Sequence, residues 1–280
     1  MSKIWKNTSA RFKIGFFVVA VLIICAFIVT LFYTGPNITE YNSYKKNLPI
    51  SAQHLLGTTS LGQDTFWMLA FSLRNSITIG VIVGIFGTVV GVLYGLIAGF
   101  VGGTMDRIMM TVSDTFIVIP SLPVLILMTS LMSGSLSVLP IAIVLSMFAW
   151  AHPSRHVRAM CLSLRERDFI STARFSGEGI LQIVVTEILP YLLTWSLSNF
   201  MNAILVAIGQ ESSLAVLGLS SSTLPTLGNM IQWSRDRNAI MAKKWLWIGS
   251  PITTTIILFI SLFMLITGYN EYISKKRGRL

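Results

Sequence analysis

Long apolar runs alternate with short polar or basic segments along this chain, and their lengths predict its elements. After Lys3, Lys6, Arg11 and Lys13 comes an apolar stretch, 14–33. Its roughly twenty residues match the thickness of a bilayer core. The run is too long for the h-region of a signal peptide and leads into TGPN rather than a small-x-small cleavage site, so it reads as an uncleaved span. Residues 34–75, with Pro36, Asn37, Pro49 and Gln53, read as an external loop that ends in a short amphipathic piece, 65–74. Further apolar runs at about 76–100, 107–132, 138–154, 188–207 and 246–269 bring the predicted spans to six. The expected architecture is an all-α polytopic membrane protein.

Composition agrees. Of 280 residues 53% are hydrophobic and 11% charged, with mean hydropathy +0.72, far too apolar for a soluble domain of this length. A net charge of +10 would suit nucleic acid, but the bases sit at the ends of apolar runs rather than in a patch interleaved with aromatics, so no nucleic-acid partner is expected. Their distribution sets the orientation instead. With the N-terminus inside, the cytoplasm receives Lys3, Lys6, Arg11, Lys13, Arg107, Arg155, Arg158, Arg165, Arg167, Arg174, Lys275, Lys276, Arg277 and Arg279. The outside receives half as many: Lys45, Lys46, Arg74, Arg235, Arg237, Lys243 and Lys244. Both termini are therefore expected in the cytoplasm, as a tail 1–13 and a basic tail 271–280. Between them lie the first span 14–33, the external loop 34–75 and a five-helix core 76–270, which includes a second external loop at 209–245. Cys25 and Cys161 are far apart and show no metal spacing, so no disulfide framework is expected.

Several polar or small residues inside the spans are candidates for function. Gly87, Gly91, Gly95 and Gly99 repeat every fourth residue, a ridge that admits another helix closely, either as packing within the subunit or as a moving contact near a pathway. Pro120 and Pro123 bracket Ser121 and predict a kink with freed carbonyls at mid-membrane depth. Asp114 needs a partner or water, so it is either in an ion pair or on a pathway. Asn199, Asn202 and Gln210-Glu211 suit a water-filled lining or hydrogen bonds between helices. His152 and His156 have metal spacing, but Pro153 lies between them and no further ligand stands near, so interfacial hydrogen bonding is preferred to a metal site.

The segment 165–190 is the longest charged stretch between apolar runs. It reads as a short cytoplasmic helix over 165–177, with Phe169, Ala173 and Gly177 on one small side, Ile170 and Thr172 beside them, and Arg165 and Arg174 elsewhere on the wheel. Ser171, Thr172, Ala173, Gly177 and Ile188-Leu189-Pro190 resemble the cytoplasmic-loop signature of ABC importer permeases, with Ser171 in place of its glutamate and Thr172 in place of an alanine. Other stretches, in order, resemble the C-type permease subunit of dipeptide, oligopeptide and nickel importers over about 54–270. They are 54–64 (HLLGTTSLGQD), 95–103, Pro120-Ser121, 164–169 (LRERDF), 211–219 (ESSLAVLGL) and 225–230.

That resemblance implies the type I importer fold and the transmembrane half of an ATP-driven importer. The chain has no Gly-x-x-x-x-Gly-Lys-Ser/Thr loop, so no cofactor is expected on it, and the resemblance implies that ATP and Mg belong to two partner ATPase subunits. The resemblance also implies a homologous second permease and an extracytoplasmic solute-binding protein, with membrane lipid around the body. Arg165, Phe169, Ser171, Thr172, Ala173, Arg174 and Gly177 would carry ATPase coupling. Asp114, Pro120, Ser121, Asn199, Asn202 and Glu211 are the pathway candidates. The expected cargo is a peptide, with an oligosaccharide or nickel chelate as the alternative. A gradient-driven transporter or channel would want paired embedded acids or an inverted repeat, and a membrane enzyme would want a nucleophile or metal cluster.

Overall fold

In the computed structural model, which describes residues 8–131, 137–220 and 223–277, the regular elements are helical. The one β feature among these residues is an isolated antiparallel bridge, Thr58 with Asp64. Lys3, Lys6 and Arg279, and the side chains of Arg174, Lys276 and Arg277, lie outside the described residues.

Helix α1 (Ala10–Ile23) runs on through a π turn, Ile24–Ile28, and a 3-10 turn, Val29–Phe32. Then come α2 (Thr65–Val101), α3 (Gly103–Val118), α4 (Ser121–Leu131), α5 (Val138–Ala149), α6 (Ala151–Arg165) and α7 (Asp168–Phe175). The short α8 (Ile180–Ile183) passes through a π turn, Val184–Ile188, into α9 (Leu189–Val216), followed by α10 (Leu227–Asp236) and α11 (Trp245–Arg277). Ala10–Phe32, Thr65–Val101, Val184–Val216 and Trp245–Lys275 are each long and apolar enough to cross a membrane. Two bent pairs, α3 with α4 (77°) and α5 with α6 (40°), raise the number to six if each is one span.

Several boundaries differ from the sequence expectation; α11, for one, runs to Arg277 through residues expected as a tail. The piece 65–74 belongs to α2, a 37-residue helix of about 55 Å, well beyond a ~30 Å hydrocarbon core. It starts early because Asp64 caps it, its Oδ1 accepting from the Phe66 and Trp67 amides at 2.9 and 3.1 Å. Likewise α9 runs to Val216, so 209–216 is helix rather than external loop.

The bends have local causes. Ile119, held extended (φ −65°, ψ 122°) by the proline that follows it, separates α3 from α4. Pro123 fits in the first turn of α4, and Pro153 in that of α6, where no amide donor is needed. Pro190 comes two residues after the π turn, whose extra residue makes room for a ring that would otherwise press on the carbonyl four residues back.

Helix α2 is the hub, packing against α5, α6, α9, α10 and α11. α1 sits at the periphery against α11, where a Cβ on Gly15 would lie 2.8 Å from the Ser261 carbonyl and one on Gly268 2.7 Å from Phe12. In lipid such close small-residue contacts, not hydrophobic burial, hold helices together. At one end of the bundle, 33–64 folds into a compact cap. His54 Nδ1 meets Asp64 Oδ2 at 2.6 Å, Gln63 Nε2 donates to the Thr39 carbonyl at 2.9 Å, and Gly57 and Gly62 turn the chain at φ +71° and +76°. The Tyr33 ring packs beside this cap, tilted at 49° to the Trp67 ring with the centroids 4.9 Å apart. The cap and α10 mark the loop end of the molecule. α7 lies at the opposite, basic end.

Candidate functional site

The two bends face α9 across a cavity of about 380 Å³. Ile119 and Ser121 come from the α3–α4 break, His152 and Pro153 from the first turn after the α5–α6 break, and Asn199, Asn202, Val206 and Gln210 from α9. The α9 positions, three or four apart, share one helix face. Val83, Phe116 and Phe148 complete much of the wall. Asn199 Nδ2 donates to Thr88 Oγ1 at 2.9 Å, and Gln210 Nε2 reaches Ser121 Oγ at 3.5 Å. Polar groups survive in an apolar bundle only where partners or water satisfy them. This lining offers neutral amide and hydroxyl groups and one imidazole, enough to hydrogen-bond a polar solute without selecting its charge.

Of the pathway candidates, Ser121, Asn199 and Asn202 meet at this cavity, and Pro120 sits in the break between two lining residues. Asp114 and Glu211 lie elsewhere. Asp114 accepts from Arg155 at 3.0 Å in an exposed ion pair, the structural reading of that residue. Glu211 is 1% exposed, its Oε1 accepting from Thr226 at 2.7 Å and Ser220 at 3.3 Å, so it braces α9 against the start of α10 rather than lining the cavity. His152, read from sequence as an interfacial hydrogen bonder, is a lining residue. The available signal was the Pro153 beside it, marking a break. His156 packs its ring against Trp195 at 5.7 Å, and the described residues hold no cluster of three metal-ligating side chains.

The glycine ridge packs within the subunit. A Cβ on Gly87 would meet Ala149, on Gly91 Pro153, on Gly95 the Ser154 carbonyl and on Gly99 Cys161. Close by, Arg158 grips Asp106 through Nε–Oδ1 at 2.9 Å and Nη2–Oδ2 at 2.6 Å, and Ser113 shares a hydrogen bond with Ser154 at 2.8 Å, joining α3 to α6.

The single helix expected over 165–177 is two elements. Arg165 ends α6, and its Nη1 donates to the Gly99 and Phe100 carbonyls at 3.2 and 2.9 Å, capping the C-terminal end of α2. It is thereby committed to its own chain. α7 stops at Phe175, where Gly177 at φ +83° turns the chain and the Glu178 amide donates to the Ala173 carbonyl, a Schellman closure. The side expected to enter a partner's groove is turned inward. Ile170 and Ala173 are buried with Val157, Cys161, Ile183 and Ile188, while Phe169 stacks on Tyr191 at 5.7 Å. Ser171 and Thr172 face outward, as does Phe175 at 91% exposure, a residue the sequence pattern did not single out.

Comparison with known proteins follows the same lines. The family model described as "Binding-protein-dependent transport system inner membrane component" matches residues 91–279. The chain is 30% identical over 250 residues to the oligopeptide transport system permease protein OppC of Lactococcus lactis subsp. cremoris, covering 89% of this chain and 84% of that one. It is 34% identical over 170 residues to OppC of Mycobacterium tuberculosis (61% and 58% covered). With oligopeptide transport system permease protein AmiD of Streptococcus pneumoniae it shares 28% over 263 residues (92% and 83%). Among solved structures, a chain of the inward-facing MetNI methionine ABC transporter superposes with TM-score 0.58 at 17% identity, covering 74% of this chain and 96% of that one, a likeness of fold.

Proposed function

Because the chain belongs to the binding-protein-dependent transport system inner membrane components, we propose that it is the permease subunit of an oligopeptide ABC importer and forms half of the route. The observation that carries this reading is the polar cavity at the two bends, where Ser121, His152, Asn199 and Asn202 converge inside an otherwise apolar bundle. The names of its relatives supply the cargo class, peptides. A peptide offers amide donors and acceptors along its whole length, which neutral amides can match whatever the side chains.

On this reading a homologous second permease faces the cavity, and the basic end lies in the cytoplasm with both termini. There α7 docks on one of two ATPase subunits that carry ATP and Mg. Its outward residues Ser171, Thr172 and Phe175 form the contact, while Ile170 and Ala173 tie α7 to the body so that it moves with α6 and α9. A solute-binding protein delivers cargo to the loop end. Nucleotide-driven closure of the ATPases then shifts the bundle between two packed arrangements.

The test is uptake of a labelled oligopeptide by proteoliposomes containing both permeases and both ATPases, with the binding protein supplied. Asn202→Leu, which replaces an amide by an apolar side chain in the lining, is expected to lower uptake several-fold without loss of assembly. Uptake by this chain alone, driven by an ion gradient, would overturn the reading in favour of a secondary transporter.

A further inference from the structure

A second concavity, of about 450 Å³, lies between α3 and α6 on the basic side of the polar cavity. Helix α3 gives it Asp106, Arg107, Thr111 and Asp114, and α6 gives it Arg155 and Arg158. Arg107, Thr111 and Asp114 share one helix face. Met105, Ile108 and Val112, exposed on another side of α3, suit hydrocarbon. Asp114 lies about 12 Å deeper along the helix than Asp106, and charges at such depth face water rather than lipid. The concavity is therefore an aqueous vestibule. It adjoins the cavity, because Phe116 and Ile117, just past Asp114, and His152 and Pro153, just before Arg155, are cavity walls.

The charges of this vestibule differ in availability. Arg158 holds Asp106 through two contacts and, with the Ser113–Ser154 hydrogen bond, already fastens α3 to α6. Arg155 holds Asp114 through one contact of 3.0 Å between side chains 64% and 48% exposed, a pair that adds little to stability in water. The Arg107 guanidinium has no hydrogen bond or ion pair among the described residues. A solute passing from the neutral amides of the cavity toward the basic end thus meets its first exchangeable charges at Asp114 and Arg155.

Resting on the importer reading above, we propose that Asp114 and Arg155, with Arg107 beyond them, read the terminal charges of the cargo. Peptide leaving the cavity exchanges the ion pair for its own ends, its ammonium meeting Asp114 and its carboxylate meeting Arg155 and then Arg107. A guanidinium suits a carboxylate, which it can hold through two parallel hydrogen bonds. Contacts this exposed draw the cargo forward without retaining it, as passage requires. The substrate class this selects is peptides with free termini.

The experiment uses the complete importer in proteoliposomes, with its binding protein saturating, and reads the uptake rate of isotopically labelled trialanine in three forms: unblocked, C-terminally amidated and N-acetylated. The binding protein is the same in every arm, so its own preference cancels when ratios of rates are compared between importers. Arg155→Gln is expected to lower the unblocked-to-amidated ratio several-fold, by slowing the unblocked peptide and leaving the amide near its former rate. Asp114→Asn should do the same to the unblocked-to-acetylated ratio, and Arg155→Lys should keep most of the preference. The melting temperature of Arg155→Gln should stay within about 1 °C of the unaltered chain. Ratios that do not move, or all three peptides slowed alike as a purely structural pair would have it, overturn the proposal. So does an effect of Arg155 or Arg107 that follows the anionic lipid content of the vesicle rather than the peptide's terminus, which would make lipid phosphate the occupant. An unaltered importer that takes up none of the three peptides would instead sink the family-based reading beneath it.

Discussion

Gly91→Ala tests the close approach of α2 to α6. The added Cβ would lie 2.5 Å from Pro153 Cβ, 2.9 Å from the Trp150 carbonyl oxygen and 3.2 Å from the Ser154 amide nitrogen. Carbon atoms in good contact stand ~3.5–4.0 Å apart, so the helices must separate by about 1 Å, and two of the three obstacles are backbone atoms that cannot rotate away. Overpacking of this kind costs about 1–3 kcal/mol, of which the better helix propensity of alanine returns about 0.5–1 kcal/mol. A net loss of about 1–2 kcal/mol corresponds to a melting temperature lower by about 3–6 °C for a chain of this size. The assay is thermal unfolding in detergent followed by tryptophan fluorescence, with Gly249→Ala as comparison. Gly249 has nothing within 4 Å of the position its Cβ would take, so there the propensity gain acts alone and the melting temperature should hold or rise. Because Pro153 also lines the cavity, Gly91→Ala should lower peptide uptake as well. A Gly91→Ala protein that melts at or above the unaltered chain would refute the tight packing.

Other expectations follow from the same geometry. Glu211→Ala leaves the Thr226 and Ser220 hydroxyls without their acceptor in a buried site and should destabilise by about 1–3 kcal/mol, whereas Glu211→Gln keeps the accepting oxygen and should be milder. Equal losses in denaturant unfolding would contradict the bracing role. A double-mutant cycle on Asp106→Asn and Arg158→Gln should give a coupling of about 1–2 kcal/mol, as a partly buried bidentate pair warrants, and a coupling near zero would show the pair to be ornamental. Phe175→Ser should leave the melting temperature within about 1 °C, since a side chain 91% exposed packs on little, while reducing ATP-driven uptake. Unchanged uptake would remove Phe175 from the coupling contact.

The sequence alone determined the local quantities. Run length measures the bilayer, so the apolar stretches were readable as spans. Pro120 restricts the residue before it whatever the surroundings, so the break at 119–121 was readable too. The order of motifs from His54 to Met230 pointed to the family. Which polar residues meet was decided only by the tertiary structure, because distances between helices depend on bend angles and on the depth to which side chains interlock. The 77° bend after α3 and the run of glycines on α2 bring Ser121 and His152 opposite Asn199 and Asn202. Asp114, five residues before the break at 119–121, turns to Arg155, and Glu211, one residue past Gln210, falls on another face of α9 and turns to Thr226. Arg165 and Ala173 show the same division. Spacing along the chain placed them on one amphipathic stretch, but the carbonyls ending α2 claimed Arg165 and the core beneath α7 claimed Ala173, leaving Phe175 outward.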